Sequence, residues 1–184
     1  MLLDLEGKRN SFTNILKNIL TPLIYKGLLN IYNKINQESN SDQVLKNFQL
    51  ELSKIPQWES NIIEEKYNLI IENTESSSIL INLIQAIVKV NIELLVFHPN
   101  SNKPPVVNPD SYTKINIREF VHNIYINCAR EFWKFPFYFY HNYPTIELKR
   151  NEIKSNELIQ KCIDNSITKL LPMEFILNRY LNPE

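Results

Sequence analysis

The sequence predicts an all-α fold, a single irregular helical domain of about six to seven helices. Three observations carry this expectation. At least five segments place apolar residues at three- and four-residue steps, the period of one helix face. Almost no segment alternates apolar and polar residues as a half-buried strand does. A length of 184 residues suits one domain and buries roughly 70% of the unfolded surface without a disulfide or metal staple. Residues 1–10 read as an N-terminal tail and 11–184 as the helical domain, interrupted by a proline-rich loop at 99–115.

The strongest period runs through Phe12, Ile15, Leu16, Ile19, Leu20, Leu23, Ile24, Leu28, Ile31 and Ile35. Pro22 falls inside it, removing an N–H and pressing on the carbonyl four residues back, so residues 12–36 are expected as two helices or one bent one. Val44, Leu45, Phe48, Leu52 and Ile55 mark a second helix that Pro56 stops. Asn61 and Glu64 have capping-box spacing ahead of a third, which carries Ile63, Tyr67, Ile70 and Ile71. Ser76 to Ser78 opens a fourth helix that is apolar on most faces, the mark of a helix in the middle of a domain. Its polar stripe of Asn82, Gln85, Lys89 and Glu93 is either a thin solvent edge or the wall of a cleft.

Residues 99–115 hold four prolines and no period, which makes a long loop. Asn116 and Glu119 repeat the capping spacing before a fifth helix with Ile117, Phe120, Val121, Ile124, Tyr125, Cys128 and Phe132 on its core stripe. Ile159, Cys162, Ile163, Ile167 and Leu170 define a sixth. Pro172 ends it and starts a short seventh with Phe175, Ile176 and Tyr180.

Composition narrows the function mainly by exclusion. Twenty basic and twenty acidic residues give a net charge of zero, whereas a nucleic-acid reader draws most of its affinity from a basic excess. Residues 145–184 interleave both signs, so no basic stripe hides in the total and no nucleic-acid partner is expected. Asn and Ile occur 25 times each against two Ala, and Lys outnumbers Arg 15 to 5, a bias toward A/T-rich codons. No Asn begins an Asn-x-Ser/Thr sequon, and no apolar signal core follows the first residues, so the chain reads as not secreted. The most apolar stretch, 79–97, carries Lys89 and Glu93, each costing roughly 2.5–3.5 kcal/mol at mid-bilayer, so it reads as a buried helix and not as a membrane span.

Specific chemistry is scarce. Loops that cradle phosphate need glycine for close backbone approach, and Gly7 and Gly27 are the only two, so no cofactor-binding loop of that kind can be written. Cys128 and Cys162 stand 34 apart without matching histidines, which predicts buried reduced thiols and no metal site. His122, with Arg118 at i−4 and Glu119 at i−3, could be drawn as a general base oriented by a carboxylate, and ordinary helix-surface pairs explain the same pattern. The outstanding feature is the run from Phe132 to Tyr143, where eight of twelve residues are aromatic. Large rings dominate interface hot spots and cores for the same reason, since they bury much area at low rotamer cost, so both roles stay open.

Four segments in order resemble a family of uncharacterised proteins from nucleocytoplasmic large DNA viruses of the giant-virus type. They are NILTPLIYKGLLNIY at 18–32, FQLELSKIPQWESNIIEEKYNLII at 48–71, FVHNIYINCAREFWKFPFYF at 120–139 and ITKLLPMEFILNRYL at 167–181, with Cys128 to Trp133 the most specific piece. The resemblance implies a viral origin, in keeping with the codon bias, and brings no activity, cofactor or catalytic residue. The expected function is a non-enzymatic structural or protein-interaction domain, at the viral assembly site in host cytoplasm or in the virion. The alternatives are an enzyme with an unfamiliar polar site around the fifth helix and, last, a nucleic-acid adaptor. Phe137, Tyr138, Phe139, Tyr140, His141 and Tyr143 are the candidate partner-binding residues. Arg130, Glu131, Phe132 and Trp133 form a structural joint, in which Phe132 and Trp133 are expected inside and Arg130 is expected to brace a neighbouring element.

Overall fold

The computed structural model describes residues 2–74, 76–97 and 107–182. Among them 85% are helical, there is no strand, and eight α-helices are present, as the period analysis predicts for the fold class.

Helix α1, Leu2–Glu38, is one continuous helix of 37 residues with Pro22 inside it. Residues 2–10 are therefore not the tail that the sequence suggests. No proline falls in that stretch, the cost of Gly7 is only about 1 kcal/mol, and Lys8 pairs with Asp4 one turn back at 2.7 Å. Pro22 costs a helix interior about 3 kcal/mol, yet Leu16, Leu20, Ile24 and Leu28 on either side of it are sealed in the core. Burying one such side chain returns roughly 1.5–3 kcal/mol, so tertiary packing carries the helix through the proline.

A 3-10 turn at Ser41–Gln43 leads into α2, Val44–Lys54, which buries Val44, Phe48 and Leu52 at four-residue steps. Pro56 closes it in a second 3-10 turn, Ile55–Gln57. Helix α3, Ser60–Glu72, begins without the capping box that Asn61 and Glu64 suggest. Asn61 instead accepts the Ile62 amide at 2.8 Å, and Glu64 is drawn across the fold to the Arg118 guanidinium.

Helix α4, Ser77–Leu95, is the helix among the described residues that is long and apolar enough to cross a membrane by length and composition. Here it packs along α1 and buries Leu80, Leu83, Ile84, Ile87, Val88, Val90 and Ile92 in protein. Its polar stripe has a definite neighbour. Gln85 donates to the Thr113 carbonyl at 3.3 Å, and Lys89 sits 5.7 Å from the Tyr112 ring, so the stripe seats the four-residue helix α5, Asp110–Thr113. That helix lies inside the expected loop 99–115, of which residues 99–106 fall outside the described residues.

Helix α6, Ile117–Lys134, starts with the cap the sequence predicts: the Asn116 side chain accepts the Glu119 amide at 3.2 Å. Its whole predicted stripe is buried, and α2, α3 and α7 all lie against it. Helix α7, Thr145–Lys169, runs back along both α6 and α1, and α8, Met173–Leu181, follows Pro172. One large core joins α1 to α4, α6 and α7, and a smaller one of Val88, Ile92, Val96 and Ile176 lies under α8.

Cys128 and Cys162 are free thiols buried in the large core. Burial, and next the neighbouring Cys162 thiol, push Cys128 well above the ordinary thiol range, so its reactive thiolate form is absent at neutral pH. A chromogenic disulfide reagent is expected to label neither cysteine in the native protein and both after denaturation. Fast labelling of native protein would show instead that the α6–α7 seam opens.

Candidate interaction surface

The segment between α6 and α7 holds the aromatic run, and its path follows from local chemistry. The helix ends at Lys134 because Phe135 precedes a proline and is pushed out of helical geometry, to φ −128° and ψ 53°. Pro136 then sets a short 3-10 turn, Pro136–Phe139, and Tyr140 is extended. From α2, the Gln49 side chain donates to the Trp133 carbonyl at 2.7 Å, satisfying a backbone acceptor that the end of α6 would leave open.

Phe139 is the plug that fastens this segment to the core. It is 4% exposed. Its ring stacks on Tyr25 at 5.6 Å, meets Phe132 edge-on at 5.0 Å and touches Phe48 at 5.3 Å, so it ties together α1, α2 and α6. A second fastening lies two residues on. The buried Tyr32 hydroxyl is 2.8 Å from Nδ1 of His141, which itself lies at the surface. Burial raises the Tyr32 pKa above its ordinary value, and the His141 contact opposes that shift. Tyr25 is raised too, by burial first and then by the nearby Glu152 carboxylate. A cleft of about 330 Å³ opens beside these residues, lined by Tyr25, Tyr32, Tyr138, His141, Leu148 and Glu152.

With Phe139 and Tyr32 holding it, the segment presents other rings to solvent. Phe137 is 39% exposed, Phe135 37% and Trp133 51%. Phe135, Phe137 and Tyr138 contact one another with centroids 4.7–6.1 Å apart. Tyr140 joins His141 and Tyr143 in a second group, at 5.4 and 5.3 Å. Of the six candidate partner-binding residues, Phe139 is thus core, Tyr138 and Tyr140 are half-buried, and Phe137, His141 and Tyr143 are exposed.

The structural joint divides in the same way. Phe132 is sealed inside, whereas Trp133 points outward, contrary to the expectation of an inward ring. The reason is helical phase. Successive residues turn by about 100°, and Trp133 stands three residues after Arg130, which is itself on the exposed face. Arg130 braces nothing: it makes no hydrogen bond or ion pair among the described residues, while Glu131 pairs with Lys134 at 2.9 Å. Sequence reading passed over Phe135 and Trp133 as surface rings. The available signal was the proline after Phe135 and the phase of Trp133 against the buried stripe.

The polar constellation on α6 does not assemble as a catalytic pair. Nε2 of His122 lies 2.8 Å from the Ile55 carbonyl, and the ring stacks on Trp58 at 5.9 Å with an interplanar angle of 12°. Glu119 stays exposed, and Arg118 spans Glu64 and the face of Tyr67, 4.5 Å from its centroid. These contacts clamp α6 to α3 and to the turn before it. Among the described residues no cluster of three or more His, Cys, Asp or Glu is placed to hold a metal ion.

No curated protein and no solved structure matches the chain. A family model described as a family of unknown function (DUF5764) matches residues 1–140, which include α1 to α6 and the aromatic run as far as Tyr140. His141, Tyr143, α7 and α8 lie beyond the matched stretch. With three quarters of its length matched, the chain belongs to the family of unknown function DUF5764.

Proposed function

We propose that this domain is a non-enzymatic structural or protein-interaction component of a large DNA virus, docking a protein partner on the aromatic surface between α6 and α7. One observation carries the docking surface. Trp133, Phe135 and Phe137 keep between a third and a half of their area in water, beside a Phe139 that is sealed in the core. A fixed base with outward rings has already lost the conformational freedom that binding would otherwise cost, and rings of this kind supply most of the energy at protein interfaces. The viral setting is supported by the four segment resemblances and by the A/T-rich codon bias, and it implies the assembly site in host cytoplasm, or the virion. A protein is favoured over nucleic acid because most cations near the surface are already paired, Lys134 with Glu131, Lys149 with Glu152, Arg150 with Glu147 and Lys154 with Glu157, and the single cation Arg130 makes no basic patch.

The test is affinity purification of the full tagged chain from infected cells, with Trp133→Ala and Phe137→Ala run beside wild type. The expected result is a protein recovered with wild type and lost with both variants, whose melting temperatures stay close to wild type. Equal recovery with all three chains would overturn the proposal.

A further inference from the structure

At the opposite end of α7 from the aromatic surface, helices α1, α4 and α7 leave a cleft of about 430 Å³ between them. Its walls are polar almost throughout, which the packing of three helices does not require. Arg9, Thr13 and Lys17 stand at four-residue steps on one face of α1, across from Asn91 on α4 and Asp164 on α7. The Lys17 ammonium reaches Oδ2 of Asp164 at 2.6 Å, with the lysine side chain only 18% exposed. That end of the cleft is electrically neutral, and the other carboxylate oxygen of Asp164 is left to accept a further donor. Arg9, at the other end, has no carboxylate partner among the described residues. Its Nε and Nη2 both turn to the side-chain carbonyl of Asn10, at 3.3 and 3.2 Å. Asn91 gives its amide hydrogen to the Ile87 carbonyl at 2.8 Å, which fixes the carboxamide and leaves its oxygen unspent.

From this we infer that the cleft binds a small polyhydroxylated anion, a sugar phosphate or a sugar acid, with the anionic group on Arg9 and hydroxyls on Asp164 and Asn91. The volume falls within the usual ~300–1,000 Å³ of small-molecule sites, but the apolar lining of such sites is missing, so the occupant must be polar. Two cations against one carboxylate make the lining net positive, and a guanidinium matches phosphate or carboxylate with two parallel hydrogen bonds. Eight residues of helix separate Arg9 from Lys17, about 12 Å, so an ion that fills only the Arg9 end leaves the acceptors at the far end unused.

The full chain is titrated with glucose 6-phosphate, gluconate, glucose and inorganic phosphate, and backbone amides are followed by NMR. The expected result is that at least one of the two anionic sugars shifts the amides around Arg9, Lys17, Asn91 and Asp164 at millimolar concentration. Glucose and inorganic phosphate should each bind about tenfold more weakly or less, as expected when one charge-assisted contact or the hydroxyl contacts are lost. The stronger of the two sugars tells phosphate from carboxylate. Arg9→Gln should weaken that sugar about tenfold at an unchanged melting temperature. Absence of shifts with both anionic sugars, binding that Arg9→Gln leaves intact, or inorganic phosphate binding as tightly as the sugars would each overturn the assignment.

Discussion

Replacing Phe139 with alanine is expected to lower the unfolding free energy by about 3–5 kcal/mol, whereas Trp133→Ala should change it by less than about 1 kcal/mol. The two residues lie six apart in one aromatic run, and composition treats them alike. Their surroundings differ. Phe139 fills a socket made by Tyr25, Tyr32, Phe48 and Phe132, so deleting its ring removes area burial and leaves a cavity among four large side chains that cannot all collapse. Trp133 has half its surface in water, and its fixed contact with α2 runs through its backbone carbonyl, which alanine retains. Urea unfolding of the two variants checks the claim. A tryptophan variant as damaged as the phenylalanine variant would mean that the ring packs inward in solution, and it would remove the exposed surface on which the docking proposal stands.

The second large effect is expected at Gly27, near the middle of α1. By helix propensity Gly27→Ala should stabilise, by roughly 1 kcal/mol. Here a Cβ would land on the Tyr125 hydroxyl, with the ring's Cζ and Cε1 at 3.1 and 3.3 Å. Tyr125 on α6 is buried, and its ring lies 5.2 Å from Trp58, which also stacks on His122, so its ring is hemmed in by fixed neighbours. Overpacking of this kind costs about 1–3 kcal/mol, enough to reverse the propensity gain. Adding Tyr125→Phe removes the nearest clashing atom and should restore part of the loss, which a double-mutant cycle in urea reads directly. If Gly27→Ala alone proves as stable as wild type, the close approach of α1 to α6 is not a constraint.

The fold class and most helix positions were legible in the sequence because they rest on local periodicity. The stripe from Ile117 to Phe132 needed only its three- and four-residue steps to identify a helix and its buried face, and Asn116 needed only its distance from Glu119 to cap it. The buried thiols followed from the same phase, since Cys128 and Cys162 sit on apolar stripes. What the sequence left open depends on distant partners. Pro22 reads as either a break or a bend, and the packing on both sides of it is what keeps α1 one helix. Asn61 and Glu64 have the same spacing as Asn116 and Glu119, yet Arg118, 54 residues on, takes Glu64 away from the cap. His122 has a glutamate within reach on its own helix and bonds instead to a carbonyl of the turn before α3. In the aromatic run, periodicity stops at Phe135, and beyond that point alternation between core and surface follows no local rule. Which rings face water was decided by the socket that α1, α2 and α6 build for Phe139 and by the Tyr32 hydroxyl that meets His141, both contacts between residues far apart in the chain.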